Sequence, residues 1–338
     1  MKNIALDLGY GFTKILMEGS SRPVVIPTVV GESRSIKYKT DVSENKNSLK
    51  DIVVNVHGDN YFVGDLANRQ SDIVHFTLDE DRFDEKATKI MAKAALAIAS
   101  SEDTFTEQDI NVVTGLPVTF YSNYKNKLET MISDTHAVGV SFDRGDSFVT
   151  KKVNVDKVKT IPQPFGSLFK DILDEEGGLR DEDMAKSKVG IIDVGFLTSD
   201  FVVANKLEYI DNMSKSTKIS MNTAYGIINN ELEQQYGVSK PIYQLEGVVR
   251  EGAIKIKGKK YDIRPLIEYA YRVVAEKVIA EAKTIWPNMW ELDVVILSGG
   301  GGAALSDHIT PKIENSVLIP DSQSANVEGY LKLAKRLW

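Results

Sequence analysis

The sequence contains no cysteine. That excludes a disulfide framework, a thiolate metal centre and a cysteine nucleophile, and it fits a reducing cytoplasm. Histidine is nearly as scarce. The four present (His57, His75, His136 and His308) are scattered without metal-ligand spacing. No apolar run approaches the roughly 20 residues that span a bilayer, so no membrane association is expected. Positive charge is not in excess: 41 Lys and Arg stand against 48 Asp and Glu, a net charge of −7. Direct, sequence-independent nucleic-acid binding relies on basic surface, so any action on DNA would need an adaptor. Met1-Lys2-Asn3 run straight into an apolar segment, which leaves no room for a signal peptide and makes the cytoplasm the expected location. Two familiar signatures are also missing: there is no Gly-x-x-x-x-Gly-Lys-Ser/Thr phosphate loop and no serine in a nucleophile-elbow sequence.

What is present begins with a repeat. Ile4-Ala5-Leu6-Asp7-Leu8-Gly9-Tyr10-Gly11-Phe12-Thr13-Lys14-Ile15-Leu16 stands near the start, and Gly190-Ile191-Ile192-Asp193-Val194-Gly195-Phe196-Leu197-Thr198-Ser199-Asp200-Phe201-Val202 stands 186 residues later, counted from Asp7 to Asp193. Both read as apolar strand, Asp, apolar residue, Gly, turn, apolar strand. In a chain of 338 residues, too long for one ordinary core, this suggests two related domains facing a cleft, each offering a carboxylate and a turn of backbone N–H groups.

Apolar strands alternate with helical patterns along most of the chain, so the expected class is α/β. Short strands are expected at residues 23–27, 51–56 and 61–64, with a polar surface loop over 32–50. Helices are expected over 86–100, over 122–133 with Ser122 as N-cap, and over 167–176, the last stopped by Gly177-Gly178. Further helices are expected over 222–236 (ended by Gly237), over 264–285 and from Ala303. A terminal helix is expected over about 324–338. A buried strand is expected at 111–117, and a lysine-rich hairpin over 252–263 turns at Gly258, with Lys255, Lys257, Lys259 and Lys260 on a solvated face.

Four constellations carry chemistry. The glycines of the Asp7 turn permit positive φ and close approach of backbone to an anion, and Lys14 adds a positive charge. Asp7 itself repels phosphate and makes sense as a ligand for a hydrated divalent cation that bridges to it. The Asp193 turn, with Gly195, Thr198 and Ser199, repeats the arrangement. Gly299-Gly300-Gly301-Gly302, between an apolar strand and a helix, lets an anionic or flat ligand approach a helix N-terminus. A dinucleotide fingerprint over Gly299, Gly301, Ala304 and Asp321 fails, because only 17 residues follow Asp321, too few to complete the sheet. Gln163, held between two prolines, either is an ordinary loop residue or fixes an amide that orients water toward a γ-phosphate.

Taken in order, Asp-x-Gly-x-Gly-x-Thr-Lys, Pro-Gln-Pro, Asp-x-Gly-x-x-Thr-x-Asp and the four glycines resemble the actin/Hsp70/sugar-kinase superfamily. Within it, the prokaryotic actin-like ATPases of the ParM and archaeal-actin type are the nearest likeness, over nearly the whole length; the tail Ile319-Pro320-Asp321-Ser322-Gln323-Ser324-Ala325-Asn326-Val327-Glu328-Gly329-Tyr330 is similar to a ParM-type ending. The resemblance implies a two-lobed actin-like ATPase fold with two related α/β domains around a nucleotide cleft. Domain I would comprise residues 1–160 and 321–338, with a variable subdomain over 23–76 that shapes filament contacts. Domain II would comprise 161–320, with a small subdomain at about 205–263, and hinges would lie near Gln163 and Gly329.

The resemblance also implies roles. Gly9, Tyr10, Gly11, Thr13 and Lys14 match the first phosphate loop, and Gly195, Thr198 and Ser199 the second. Asp7 and Asp193 would hold Mg²⁺ through water, and Gln163 would orient the attacking water. Gly299, Gly300, Gly301 and Gly302 would pass beside the adenosine, and Asn222, Tyr225 and Gly226 would approach ribose and base. The implied activity is slow ATP hydrolysis coupled to a dynamic head-to-tail filament, serving plasmid or DNA segregation through a DNA-binding adaptor; GTP in place of ATP stays open. Two alternatives remain. A small-molecule kinase of the same superfamily would need a catalytic carboxylate where Gln163 stands. A non-polymerising scaffold would use the terminal helix, with Leu331, Leu333, Leu337 and Trp338 beside Lys332, Lys335 and Arg336, as an interfacial anchor.

Overall fold

The computed structural model describes residues 1–36, 48–76, 86–101 and 107–338. Most of the expected 32–50 loop therefore lies outside the described residues. The chain divides into two compact units: Met1–Leu116 with Phe120–Arg180 and Asn326–Trp338, and Pro117–Thr119 with Asp181–Ala325.

The repeat seen in the sequence is a repeat of topology. In the first unit the Asp7 hairpin, Lys2–Leu8 with Phe12–Met17, continues antiparallel to Val24–Pro27 on one side. On the other side Lys2–Leu8 pairs in parallel with Glu107–Leu116, which pairs in parallel with Val149–Pro162. The second unit runs the same way. Lys188–Val194 pairs with Ser199–Asn205, which pairs with Glu208–Tyr209, all antiparallel. Lys188–Val194 then pairs in parallel with Val294–Ser298, and that strand with Ser316–Leu318. Both Asp-bearing strands are thus central and nearly fully buried, which explains their unbroken apolar runs.

The first unit extends its sheet to ten strands. Val149–Pro162 also pairs antiparallel with Thr135–Ser141, and Val53–Val56, Asp59–Val63, Val29–Glu32 and Val74–Phe76 complete the far end. Helix Lys86–Ser101 buries nearly every side chain from Ala87 to Ala99, because its many alanines let it lie close to the sheet. The terminal helix Ala325–Leu337 also belongs to this unit: Leu331 and Leu333 are buried, and Lys332 Nζ donates to the carbonyls of Lys170 and Leu173, both at 3.0 Å. Packing within this unit therefore accounts for Leu331 and Leu333, while Leu337 and Trp338 stay exposed at the end of the helix. No helix among the described residues is long and apolar enough to cross a membrane.

In the second unit, helices Met221–Tyr236, Arg264–Ile285 and Gly299–Ile309 enclose a core centred on fully buried Trp286. Its ring stands edge-on to Phe201 at 5.9 Å, and its Nε1 donates to the Met213 carbonyl at 2.8 Å, so the one polar atom of the indole is satisfied.

Several expected boundaries move. The 122–133 helix is Val118–Ile132, so Ser122 lies inside it and is not its cap. The 167–176 helix is Phe165–Ile172. It ends ahead of Gly177-Gly178, because the Asp174 carboxylate accepts the N–H groups of Glu176 and Gly178 in a turn of its own. The helix expected from Ala303 begins at Gly299. Residues 161–180 group with the first unit and 321–325 with the second, so, apart from the excursion at 117–119, the chain passes between units at 180–181, beyond Gln163, and at 325–326, three residues before Gly329. The cause is register: Pro162 still pairs with Leu116, which carries Gln163 to the end of the first sheet.

Candidate functional site

The first unit gathers Asp7, Lys14 and Gln163 at one end of its sheet. Asp7 and Lys14 are direct cross-strand partners in the hairpin, so their side chains share a face. Lys14 Nζ lies 2.9 Å from Asp7 Oδ2, with the carboxylate almost wholly buried. The other oxygen, Asp7 Oδ1, accepts from Gln163 Nε2 at 3.2 Å, which joins residues 156 positions apart. A buried carboxylate held by one cation and one amide is the kind of paired charge that an interior tolerates.

The turn between the strands depends on space more than on unusual dihedrals. Gly9, Gly11 and Gly195 do not adopt positive φ, contrary to the sequence expectation. Gly9 is needed because a Cβ there would stand 2.5 Å from the Phe12 carbonyl oxygen. Thr28, unmarked in the sequence reading, pins the turn: its hydroxyl donates to the Gly9 carbonyl at 2.8 Å and its N–H to the Gly11 carbonyl at 3.0 Å. Thr13 is fully buried with its hydroxyl 2.9 Å from that of Thr28, so it supports the turn from beneath. Tyr10, in the turn itself, is also buried.

Gln163 is fixed through its backbone as well. Its N–H donates to the Leu116 carbonyl at 2.8 Å, and its own carbonyl accepts from the Tyr330 hydroxyl at 3.2 Å. Tyr330 is fully buried on the terminal helix. That helix reaches Gln163 because Gly329 lets it touch helix Phe165–Ile172 backbone to backbone.

The second unit assembles the other expected residues around the Asp193 turn. Asp193 is buried, and its cross-strand partner is Asp200 where the first copy has Lys14. Asp200 is enclosed too. It accepts from the Ser216 hydroxyl and, at 3.2 Å, from the N–H of Val118, which belongs to the same unit. Burial, with the negative charge of Asp193 adding to it, pushes the Asp200 carboxyl up to about 7. Gly195 N–H donates to the Thr198 carbonyl at 2.9 Å and closes the turn. Ser199 is fully buried and donates its hydroxyl to the Ile219 carbonyl.

Helix Met221–Tyr236 docks its first N–H groups on this turn: Met221 donates to Gly195 and Asn222 to Phe196. Tyr225 packs edge-on against Phe196 at 6.1 Å, and burial raises its phenol above the ordinary value. Gly226, on the same helix, has nothing within 4 Å of where a Cβ would point. Of the four glycines, Gly299 has φ +82° and would place a Cβ 2.4 Å from Asp193 Oδ1, while a Cβ on Gly301 would meet Val194 Cγ1 at 2.4 Å. Those two are glycines because the helix backs onto the Asp193 strand; Gly300 and Gly302 would meet only ordinary contacts.

Two family models match the chain: the N-terminal domain of actin-like proteins over residues 5–166, and the C-terminal domain of the archaeal actin homologue, MreB-like, over 191–311. The chain belongs to the actin-like proteins. Solved structures agree with this actin-like assignment. A 15-stranded ParM filament from Clostridium botulinum is 25% identical with a TM-score of 0.82, covering 99% of each chain. An archaeal actin homologue in complex with ADP is 17% identical with a TM-score of 0.79, covering 99% of this chain and 100% of that one. ParM from Bacillus thuringiensis with AMPPNP is 17% identical with a TM-score of 0.72, covering 98% and 97%. No curated protein matches the chain in sequence.

Proposed function

We propose that this actin-like chain is a nucleoside triphosphatase whose ATP-bound form assembles into a dynamic filament. The observation that carries the reading is the Gln163 amide fixed 3.2 Å from the Asp7 carboxylate, in the unit where Lys14 supplies a cation. An amide cannot take a proton as a strong base does, so it orients water and gives slow, timed hydrolysis. An acceptor-phosphorylating kinase would place a carboxylate there, which disfavours that alternative. Relatives of the same fold include a ParM filament and an archaeal homologue holding ADP, which supports both self-association and an adenine nucleotide.

Mg²⁺ fits the donor set in one form. Among the described residues no three His, Cys, Asp or Glu gather to enclose a metal, and each turn offers one buried carboxylate. Asp7 and Asp193 suit a cation that arrives with its own waters and phosphate oxygens, as Mg²⁺ does, and whose charge would offset that of the phosphates. Lys14 and the Asp7 turn would receive phosphate, the Asp193 turn with Gly195 and Thr198 would serve the same ligand class, and Asn222, Tyr225 and Gly226 would approach ribose and base. The proposed task is segregation of a plasmid or other DNA in the cytoplasm through a DNA-binding adaptor, since the chain's charge of −7 does not favour direct binding.

High-speed sedimentation with light scattering, using Mg²⁺ and ATP, GTP, ADP or no nucleotide, tests the reading. Pelleting that appears with a triphosphate and decays as phosphate is released is the expected result. Persistent monomer with steady turnover would overturn the filament.

A further inference from the structure

Thr28 stands where two parts of the first unit's sheet meet. It is the single residue between strands Val24–Pro27 and Val29–Glu32. Val24–Pro27 pairs with the Asp7 hairpin at one end of the ten-stranded order, and Val29–Glu32 lies near the other end, with seven strands between them. Ladder hydrogen bonds join these two strands only by way of those seven, whereas the chain joins them through one buried threonine.

The hydrogen bonds of Thr28 have a fixed direction. A threonine hydroxyl has one hydrogen. Thr28 gives it to the Gly9 carbonyl at 2.8 Å, so in the 2.9 Å contact between the two hydroxyls Thr13 is the donor and Thr28 the acceptor. The Thr28 N–H goes to the Gly11 carbonyl at 3.0 Å. A peptide unit is planar and trans, so its N–H turns whenever its C=O turns. The two peptide units that follow Gly9 and Gly11 therefore cannot rotate toward an anion without moving Thr28 or breaking a buried hydrogen bond.

On its other side Thr28 leads straight into Val29. The Val29 carbonyl accepts from the Gly64 N–H at 2.9 Å, and Gly64, at φ +64°, stands at the start of helix Asp65–Gln70. Val29 packs with Val53, Phe62, Leu66 and Ala67 in a small core of its own. A shift at Thr28 reaches that core through one peptide bond.

We propose that Thr28 is a positioning residue that couples the Asp7 turn to this small core, so that a phosphate group in the turn tightens strand Val29–Glu32 and helix Asp65–Gln70. This coupling rests on the reading of the Asp7 turn as a phosphate site and adds to it the segment that responds. The link is a contiguous set of hydrogen bonds and packed side chains within one unit, the kind of network that carries a ligand's preference for one arrangement over another.

Hydrogen exchange followed by mass spectrometry tests the coupling in the full chain, comparing Mg²⁺ and saturating ADP with no nucleotide. A fluorescence titration sets the ADP concentration, and sedimentation checks that the chain stays monomeric. In the parent, ADP should slow exchange by about threefold or more in peptides covering 53–70 as well as in those covering the Asp7 turn. In Thr28→Val, matched in size but without the hydroxyl, the response should persist over the turn and vanish over 53–70. Thr28→Ser, which keeps the hydroxyl, should restore it. Leu128→Ala, which truncates a buried residue of helix Val118–Ile132, should keep the response, because lost stability alone does not uncouple the two parts. Bound ADP that leaves 53–70 unchanged in the parent, a response that survives in Thr28→Val, or an equal loss in Leu128→Ala overturns the coupling and leaves the phosphate reading standing. Absence of ADP binding by the parent overturns the phosphate reading and the coupling with it.

Discussion

Gly329→Ala tests whether the terminal helix is part of the Gln163 apparatus. Gly329 lies within helix Ala325–Leu337, where an alanine should help: in an exposed helix interior the exchange stabilises by about 1 kcal/mol. Here the added Cβ would stand 1.7 Å from the Gly166 carbonyl oxygen and 2.8 Å from the Lys170 N–H, where real contacts stop near 3.0 Å. The helices must therefore part by about 1.3 Å, and neither obstacle is a flexible side chain. Overpacking of this kind costs about 1–3 kcal/mol, so the net effect is a loss of up to about 2 kcal/mol despite the better helix former. The displacement also pulls the Tyr330 hydroxyl from the Gln163 carbonyl, so hydrolysis should slow while nucleotide affinity holds. Gly247→Ala is the matched control: it lies exposed in helix Ile242–Glu251 with nothing within 4 Å, and it should stabilise by up to about 1 kcal/mol. Urea denaturation followed by circular dichroism measures both. A Gly329→Ala midpoint at or above that of the parent, with normal turnover, would refute the reasoning.

The other expectations are smaller in scope. Gln163→Ala should slow hydrolysis by about tenfold or more, with nucleotide binding intact and filaments longer-lived; loss of nucleotide binding, measured by fluorescence titration, would remove it from the water-orienting role. Asp193→Ala should abolish Mg²⁺-dependent phosphate release, and unchanged turnover would sink the two-carboxylate reading. Tyr330→Phe should cost about 1 kcal/mol of stability and lower kcat without raising KM, because it removes one hydrogen bond behind Gln163 and no ligand contact. For Asp200, the folded carboxyl keeps its proton to about pH 7 while an unfolded one loses it near 3.8. The folded state then holds the extra proton, so this group makes stability fall as pH rises through that window. Melting temperatures from pH 4 to 8 should fall less steeply in Asp200→Asn than in the parent.

Local signals carried much of the fold. Helix Arg264–Ile285 ends where its periodicity ends, Gly237 closes its helix in the left-handed conformation, and Gly258 turns its hairpin. What escaped sequence reading depends on distant partners. The N-terminus of helix Val118–Ile132 has no local cap, because Asp200 and Ser216, more than 80 residues away, accept the N–H groups of Val118 and Thr119. The helix from Gly299 begins inside four poor helix formers, because close approach to Asp193 and Val194 outweighs propensity. Helix Ile242–Glu251 and the Thr135–Ser141 strand were missed, although His136, Val138 and Val140 alternate along that strand and stand opposite Val153, Lys151 and Val149. At the site, the Asp7–Lys14 pairing follows from the hairpin, whereas Thr28 and Tyr330 carried no sequence signal that would place them behind Gly9 and Gln163.

The repeat also shows where two copies of one hairpin stopped being equivalent. The same cross-strand position holds Lys14 opposite Asp7 and Asp200 opposite Asp193. In the first copy a lysine faces the carboxylate and the Gln163 amide adds a further donor, so in the proposed role a phosphate would meet a lysine and not a bare carboxylate. In the second copy two buried acids face each other, and the arrangement is tolerable only if one keeps its proton or a cation arrives. Asp200 meets the first condition: burial raises it, and its donors are the Ser216 hydroxyl and the Val118 N–H, with no basic side chain among them. The proposed roles divide accordingly, with the first turn better suited to phosphate and the second to a hydrated cation. A lysine at position 200 would cancel that difference between the two copies, leaving the second turn, like the first, with a cation already in place.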